Sequence, residues 1–187
     1  MRKTGGEHFH AGGEKLNATL LDFWQWSASD LVSNATRGVL AEYMVSLALE
    51  GCPKGIRREW DAYDLKLSEG TKVEVKSAAY LQSWKQTRPS TILFNVGKRR
   101  WWDAESGMSS AEPSRHANVY VFALLKHTER ETLDPLNVSQ WDFFVLPTRA
   151  LNERTRSQQS ITLPSLENLT GGPVAFGGLR EAVAKAA

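Results

Sequence analysis

Apolar and polar residues change their spacing several times along the chain. Residues 1–16 contain four glycines and no apolar periodicity, so we predict a flexible N-terminal arm followed by one domain at 17–187. Residues 17–26 and 30–50 repeat apolar positions every three or four residues, which predicts helices. In the second helix we expect a cap at Ser33 or Asn34, an end at Gly51, and a buried stripe made of Val39, Leu40, Tyr43, Met44, Leu47 and Ala48.

The spacing falls to two between Glu59 and Ala78, on either side of turn-forming residues at 68–71. Alternation about a short polar turn predicts a β-hairpin. One face of this hairpin is apolar, as a strand pair packed on a core requires, and it contains Tyr63, Leu65, Leu67, Val73 and Val75.

The opposite face of the predicted hairpin carries charge. It collects Asp64, Lys66, Glu74 and Lys76 if the loop has an odd number of residues, such as 69–71. In that register Asp64 lies across from Lys76 and diagonal to Glu74. Two carboxylates and an ammonium group then lie within roughly 5–8 Å of one another.

The rest of the chain predicts further strands and helices. AAYLQSWKQ is typical of a helix and TILFNV of a strand, and the apolar runs NVYVFALLK and WDFFVLP predict central strands. TRALNERT and GLREAVAKA predict closing helices. We therefore expect an α/β or α+β domain with helices beside a mixed sheet, a core at about 34–146 and a helical C-terminal extension at 147–187.

Composition narrows the function classes only slightly. Lys and Arg outnumber Asp and Glu by 23 to 21, so the formal charge of +2 permits a polyanionic partner without requiring one. Cys52 is the single cysteine, which excludes an internal disulfide and a thiolate metal site. The chain has no signal-like or membrane-spanning apolar run, so we expect a cytoplasmic protein that does not insert into membranes.

The charged hairpin face has two interpretations. Mg²⁺ and Mn²⁺ are commonly held by one or two carboxylates with water and phosphate oxygens, so Asp64 and Glu74 suit such an ion, with Lys76 beside the reacting phosphate. Alternatively, these residues form the solvated side of an amphipathic hairpin with cross-strand ion pairs. The aromatic residues that flank the hairpin favour the first interpretation, because a solvated face would border a large apolar patch.

Asp64 followed after ten residues by Glu74-Val75-Lys76 resembles the motif of the PD-(D/E)xK, or restriction-endonuclease-like, superfamily. The resemblance extends to Glu42, which follows Gly38 by one helical turn, as does a glutamate on the helix before the hairpin in that superfamily. The runs LAEYMV, EWDAYDL and EVKSAAYLQSW also resemble those of a group of bacterial proteins without an assigned activity.

The resemblance implies a core sheet of four to five strands and roles for particular residues. Asp64, Glu74, the backbone carbonyl of Val75 and Glu42 would hold Mg²⁺ or Mn²⁺, and Lys76 would complete the catalytic set. Ser77 and Gln82 would be auxiliary residues on a helix at 77–86. Tyr63 stands where the motif has proline, and Asp61 is a rival to Asp64 that the alternation places on the apolar face.

Basic residues near the hairpin suggest contacts to nucleic acid. They occur before it, after it and at the start of a long loop that continues into Trp101 and Trp102. Basic residues next to aromatic residues suit phosphate contacts with base stacking, although the two tryptophans equally suit anchoring of the loop to the core. The candidate nucleic-acid-binding residues are Arg57, Arg58, Lys85, Arg88, Lys98, Arg99 and Arg100.

These observations favour a Mg²⁺-dependent DNA endonuclease that acts in restriction, defence or repair. One alternative is a catalytically silent module of the same fold that binds nucleic acid or assembles with a partner, and another is an RNase. A homodimer is compatible with a DNA endonuclease and with an RNase. His116 and His127 flank the NVYVFALLK strand, and we expect structural roles for both.

Overall fold

A four-stranded mixed sheet forms the centre of the protein. The computed structural model describes residues 1–57, 61–100, 110 and 112–187. The strand order is β3-β4-β6-β7, with an antiparallel β3/β4 pair, a parallel β4/β6 pair and an antiparallel β6/β7 pair. These strands are β3 (Leu65–Lys66), β4 (Lys72–Ala79), β6 (Val119–Leu125) and β7 (Trp141–Pro147).

Helices and two small strand pairs surround this sheet. β1 (His8–Ala11) pairs with β2 (Glu14–Thr19), and β5 (Leu93–Asn95) pairs with β8 (Ser160–Thr162). This arrangement confirms the mixed α/β class. The helices are α1 (Leu20–Ala28), α2 (Asn34–Glu50), α3 (Thr148–Asn152), α4 (Leu163–Thr170) and α5 (Leu179–Ala186).

The sheet is buried on both faces. All seven residues of β6 are buried, as its uninterrupted apolar sequence predicts. Odd-numbered β4 and β6 residues pack against α2 and α5, whereas even-numbered ones from Ala78 and Tyr120 onward pack against β5, β8 and α4. Successive side chains therefore enter two separate apolar layers, as the pleat of a strand requires.

Helix α2 begins and ends at the predicted residues. The Ser33 side chain accepts a 3.4 Å hydrogen bond from the Thr36 N–H, and Gly51 ends the helix with a φ of 89°. The predicted buried stripe is only half right. Leu40, Met44 and Ala48 contact the core, but Val39, Tyr43 and Leu47 are exposed and Ala41, Val45 and Leu49 are buried instead. Apolar residues occur on nearly every side of this helix, so their spacing does not identify the face that is buried.

The predicted helix at 77–86 is absent. β4 continues to Ala79, and residues 80–90 form bends and irregular backbone. Side chains hold this backbone in place of helical hydrogen bonds, because Gln86 accepts from the Gln82 N–H at 2.6 Å and donates to the Tyr80 carbonyl at 3.3 Å. TILFNV forms β5, as predicted, but β5 lies outside the central sheet.

The N-terminal residues contain a β-hairpin. Gly12 and Gly13 have φ angles of 57° and 90°, which are the left-handed values that a two-residue turn between β1 and β2 needs. Regular structure therefore lies where we predicted a flexible arm. The domain boundary at residue 17 stays a prediction.

The C-terminal residues pack on both sides of the sheet. TRALNERT and GLREAVAKA supply the predicted helices α3 and α5, whereas β8 and α4 were not predicted. Leu179 and Val183 of α5 are buried against the α2 layer, and Leu166 of α4 is buried against the other layer. Within the described residues, no helix has the length and apolar character to cross a membrane.

Candidate active site

A tight turn sets the register of the hairpin that carries the candidate acids. The Leu67 N–H donates to the Thr71 carbonyl at 2.8 Å, and Leu65 pairs with Val73. The loop has the predicted odd length but consists of residues 68–70, so the strands are offset by two residues from the predicted register. The prediction that Asp64 lies across from Lys76 is therefore wrong, and Asp64 lies beside Val73 and Glu74.

The first strand is irregular at Asp64. Its N–H donates to the Val73 carbonyl at 3.1 Å, although Leu65 is already the partner of Val73. Asp64 and Leu65 thus both oppose Val73, as in a β-bulge. Residues before Asp64 therefore do not continue the alternation of faces that β3 has. Tyr63 consequently packs with the layer of β5 and α4 instead of the predicted α2 layer, and the Lys72 Nζ lies 5.2 Å from the centre of its ring.

The carboxylate of Asp64 accepts a hydrogen bond from β4 that the backbone of a neighbouring strand would otherwise accept. Its Oδ2 accepts a 2.7 Å hydrogen bond from the Val75 N–H, beyond the two residues that β3 pairs with β4. In an extended strand the N–H and C=O of one residue point to the same edge. The carbonyl of Val75 therefore also points to the edge of β4 on which Asp64 lies.

Burial and neighbouring acids strongly perturb Asp64. Desolvation, followed by the charges of Glu74 and Glu42, raises its pKa from 3.8 to about 7. The Val75 hydrogen bond and the charge of Lys76 act in the opposite direction. The other two acids and the lysine of the predicted catalytic set thus lie within electrostatic reach of Asp64, with an excess of negative charge around it.

Glu74 and Lys76 project from the same face of β4. The Lys76 ammonium group forms an ion pair with the Glu74 carboxylate, and their side chains are only 19% and 14% exposed. Residues two apart in a strand share a face, which explains the pairing. Partial burial makes this pair less screened than one at the open surface.

Glu42 approaches Asp64 from α2 and is paired with Arg57. The guanidinium Nε and Nη2 of Arg57 lie 2.5 and 2.8 Å from the Glu42 carboxylate oxygens. Arg57, which we predicted to contact nucleic acid, thus binds a predicted metal ligand. Glu42, Asp61 and Asp64 all line one cleft of about 640 Å³, which we call the α2 cleft, together with Arg57 and Lys54.

Asp61 and Asp64 differ in their surroundings. Asp61 is exposed, whereas Asp64 is half-buried, bonded to β4 and coupled to Glu74. These contacts favour Asp64 as the acid of the motif.

A buried arginine connects α2 to the predicted auxiliary residues. The Arg37 Nε donates to the Ser77 hydroxyl at 3.1 Å, and one Nη donates to the Gln82 side-chain oxygen at 3.4 Å. Further bonds reach the Val32 carbonyl at 2.8 Å and the Asn34 side chain at 2.7 Å. Ser77 and Gln82 therefore hold Arg37. In the sequence, the feature that could have identified Arg37 is an arginine within an apolar helical run.

Tyr120 is a second residue that the sequence analysis missed. It is the β6 partner of Glu74, so the two side chains project from the same face of neighbouring strands. Burial raises the pKa of its phenol, and the charge of Glu74 adds to this effect. A polar-tipped side chain inside the otherwise apolar run VYVFALL was the available signal.

The candidate nucleic-acid-binding residues do not form one group. Lys98, Arg99 and Arg100 are exposed, and Arg99 lies close enough to influence the Tyr120 phenol. The Arg99 backbone pairs with Ser114 through two 3.0 Å hydrogen bonds, next to the start of β6. Lys85 and Arg88 instead follow the other end of β4, and Arg58, Trp101 and Trp102 lie outside the described residues.

Other candidate ligands have local partners. His116 bonds through Nε2 to the Arg99 carbonyl at 3.0 Å, and His127 bonds to the Thr132 hydroxyl at 2.7 Å. Among the described residues, no three His, Cys, Asp or Glu side chains are arranged as a ready-made metal site. A site here would therefore use two side chains with a backbone carbonyl or would require Glu42 to turn away from Arg57.

The sequence matches a known protein family. Residues 18–164 match the sequence model of the family described as Bacteriophage T4 endonuclease IV. The match covers most of the chain, including α2, the hairpin and the central sheet. A search of curated proteins found no significant match.

Proposed function

The chain belongs to the Bacteriophage T4 endonuclease IV family, and from this premise we propose that it is a metal-dependent endonuclease that hydrolyses DNA phosphodiester bonds. The observation that carries the proposal is the placement of Asp64, Glu74 and Lys76 around one edge of β4. We also propose that the core is of the PD-(D/E)xK type. The helix-hairpin-sheet order and Glu42 on α2 support this assignment, and the missing helix after Lys76 departs from it.

Asp64, Glu74 and the Val75 carbonyl are the residues that would hold Mg²⁺ or Mn²⁺. The residues fit a cation, because burial and the neighbouring Glu74 and Glu42 carboxylates disfavour the charge on Asp64. Two carboxylates also suffice for Mg²⁺, which keeps several of its waters. When bound, the ion would lower the pKa of a water and offset negative charge on the phosphate.

Lys76 supplies a positive charge beside these acids. Its ammonium group forms an ion pair with Glu74. A phosphodiester bound next to Glu74 gives this ammonium group a second anionic partner, and the attack of water increases the charge on the phosphate oxygens. Lys76 therefore stabilises the pentacovalent phosphate more strongly than the bound ground state, which is the condition for accelerating hydrolysis.

The decisive experiment compares cleavage of matched single-stranded DNA, duplex DNA and RNA in Mg²⁺, Mn²⁺ and EDTA. We expect the full chain to cut DNA only with a divalent ion. Glu74→Gln and Lys76→Met should each reduce the rate by on the order of 10²-fold or more. The matched control is the ion pair of Lys126, directly after β6, with Asp142 of β7, 2.7 Å apart and outside the site, through Lys126→Met and Asp142→Asn.

Each alternative predicts a different result. A catalytically silent module binds nucleic acid without cutting it in any metal, and an RNase cuts RNA in preference to DNA. Cleavage that survives both site variants, or that persists in EDTA, would contradict the proposed site. Circular dichroism of the variants verifies that a loss of rate is not a loss of fold.

A further inference from the structure

Tyr120 combines a buried ring with a phenol hydroxyl to which no described residue is hydrogen-bonded. The residue is 4% exposed, and its ring stacks on Phe122 with the centroids 6.0 Å apart. Within the described part of the chain, the structure records no hydrogen bond for the phenol oxygen and no buried side-chain nitrogen or oxygen without a partner. The oxygen of Tyr120 is therefore the end of the side chain that solvent reaches, and a ligand is free to bind it.

The surroundings of this hydroxyl are those of the candidate active site. Tyr120 and Glu74 are register partners on adjacent parallel strands, with their side chains on one face. Asp64 lies on the far side of Glu74 and also influences the phenol electrostatically. Arg115 and Arg99 influence it with the opposite sign. The hydroxyl thus lies within electrostatic reach of the proposed metal ligands and of two arginines.

The chemistry of Tyr120 limits the role that it can have. A tyrosine phenol is ordinarily protonated at neutral pH, so its hydroxyl donates a hydrogen bond there. Arg115 is already engaged, since it donates to the Val96 carbonyl at 2.8 Å and to the Asn152 side chain at 2.6 Å. A phosphate beside Glu74 would therefore meet the Tyr120 hydroxyl as its nearest unengaged donor from β6.

We propose that Tyr120 is a catalytic residue of the endonuclease and donates a hydrogen bond to a non-bridging oxygen of the scissile phosphate. This inference rests on the proposed function. The bond strengthens as charge accumulates on that oxygen during the attack of water, and the phenol keeps its proton throughout. A fixed neutral donor costs no reorganisation at the moment of reaction.

The test uses Tyr120→Phe in the full chain, with Tyr80→Phe as the matched control. Both tyrosines contact the same apolar layer, and only Tyr120 is the partner of Glu74. We expect Tyr120→Phe to lower kcat by on the order of 10²-fold with little change in KM or in thermal stability. Tyr80→Phe should retain the rate of the parent protein.

A second measurement separates a donor from a structural residue. A single phosphorothioate is placed at the mapped cleavage position of a DNA oligonucleotide, as each diastereomer in turn. Replacing the contacted oxygen weakens the hydrogen bond, so one diastereomer should slow the parent protein more than it slows Tyr120→Phe. A role in packing alone predicts equal effects on both proteins.

The outcomes distinguish this inference from the proposed function. If the parent protein cleaves, Glu74→Gln does not, and Tyr120→Phe matches the parent in rate, then Tyr120 is not the donor and the proposed function stands. If the parent shows no metal-dependent cleavage, both proposals fail. A loss of rate with equal phosphorothioate effects in both proteins also overturns the donor role.

Discussion

The carboxylate of Asp64 accepts a 2.7 Å hydrogen bond from the backbone N–H of Val75. The acid thereby completes the edge of β4 where the short strand β3 no longer pairs with it. The same bond fixes the carboxylate beside Glu74, so one contact both satisfies a strand donor and builds the candidate site. The cost is electrostatic, because a half-buried acid is held next to two others.

This cost predicts how stability depends on pH in the absence of metal. The pKa of Asp64 rises from 3.8 to about 7 on folding, so between about pH 4 and pH 7 the folded protein holds a proton that the unfolded chain has released. The contribution of Asp64 to the free energy of unfolding therefore falls as pH rises through that window. Asp64→Asn removes this dependence and keeps an oxygen that accepts from Val75.

Urea denaturation of both proteins in EDTA, at intervals from pH 4.5 to pH 8, measures the effect. We expect the asparagine variant to gain stability relative to the parent protein as the pH increases and to have no nuclease activity. A difference between the two proteins that stays constant over this range would show that Asp64 is not perturbed. Asp142→Asn serves as the control, because this carboxylate is also partly buried but lies outside the site.

The pairing of Arg57 with Glu42 predicts competition between a guanidinium group and a metal ion. Arg57→Gln removes a positive charge from the α2 cleft and releases the Glu42 carboxylate towards the other acids. We expect Mn²⁺ to bind about 3- to 10-fold more tightly, which is the scale of a partly exposed ion pair. Isothermal titration calorimetry with Mn²⁺ tests this, and Lys54→Gln in the same cleft is the control. Unchanged or weaker Mn²⁺ binding by Arg57→Gln would exclude Glu42 from the metal site.

The local patterns of the sequence predicted much of the fold. Alternation identified the hairpin, and the uninterrupted apolar run identified β6 as a strand buried on both faces. The register was missed by two residues, because loops at 68–70 and 69–71 have the same length and alternation alone does not separate them. The helix expected at 77–86 was wrong, since Gln82 and Gln86 bond to the backbone there in a way that composition does not reveal.

The candidate site depends on contacts between distant parts of the chain. Asp64, Glu74 and Lys76 were identified from a short motif, whereas Tyr120 is separated from Glu74 by 46 positions and is joined to it only by the parallel pairing of β4 with β6. Arg37 reaches Ser77 across a comparable separation. Long-range strand pairing and helix docking are not encoded in any local period, which is why both residues were missed.

Arg37 gives a prediction about stability. The residue is 4% exposed, and the partners of its guanidinium group among the described residues are all neutral acceptors. Arg37→Ala leaves a cavity and several buried acceptors without a donor, so we expect the free energy of unfolding to fall by about 2–4 kcal/mol. Urea denaturation measures this loss.

Arg130→Ala, which removes an arginine that bonds the Gln82 and Trp84 carbonyls near the surface, should cost less than about 1 kcal/mol. Equal losses for the two variants would mean that the Arg37 contacts contribute little.

The separation of the basic residues predicts which of them contact the substrate. Arg99, which Lys98 and Arg100 flank in the sequence, pairs with Ser114 ahead of β6 and influences Tyr120, whereas Lys85 and Arg88 follow the far end of β4. A phosphate contact contributes about 0.7 to 0.9 to the slope of log affinity against log salt concentration. Replacing Lys98, Arg99 and Arg100 together with glutamine should therefore reduce the slope by about 2 to 3.

Binding is measured by fluorescence anisotropy in the Glu74→Gln background, which retains substrate without cutting it. The paired variant Lys85→Gln and Arg88→Gln is the matched control, because it removes exposed charge of the same sign from the other end of the strand. We expect its slope to equal that of the parent protein, because the variant lowers the net charge without removing a phosphate contact. If the slope instead depends on Lys85 and Arg88 but not on residues 98–100, the nucleic acid binds near the Gln82 end of the sheet and not near Tyr120.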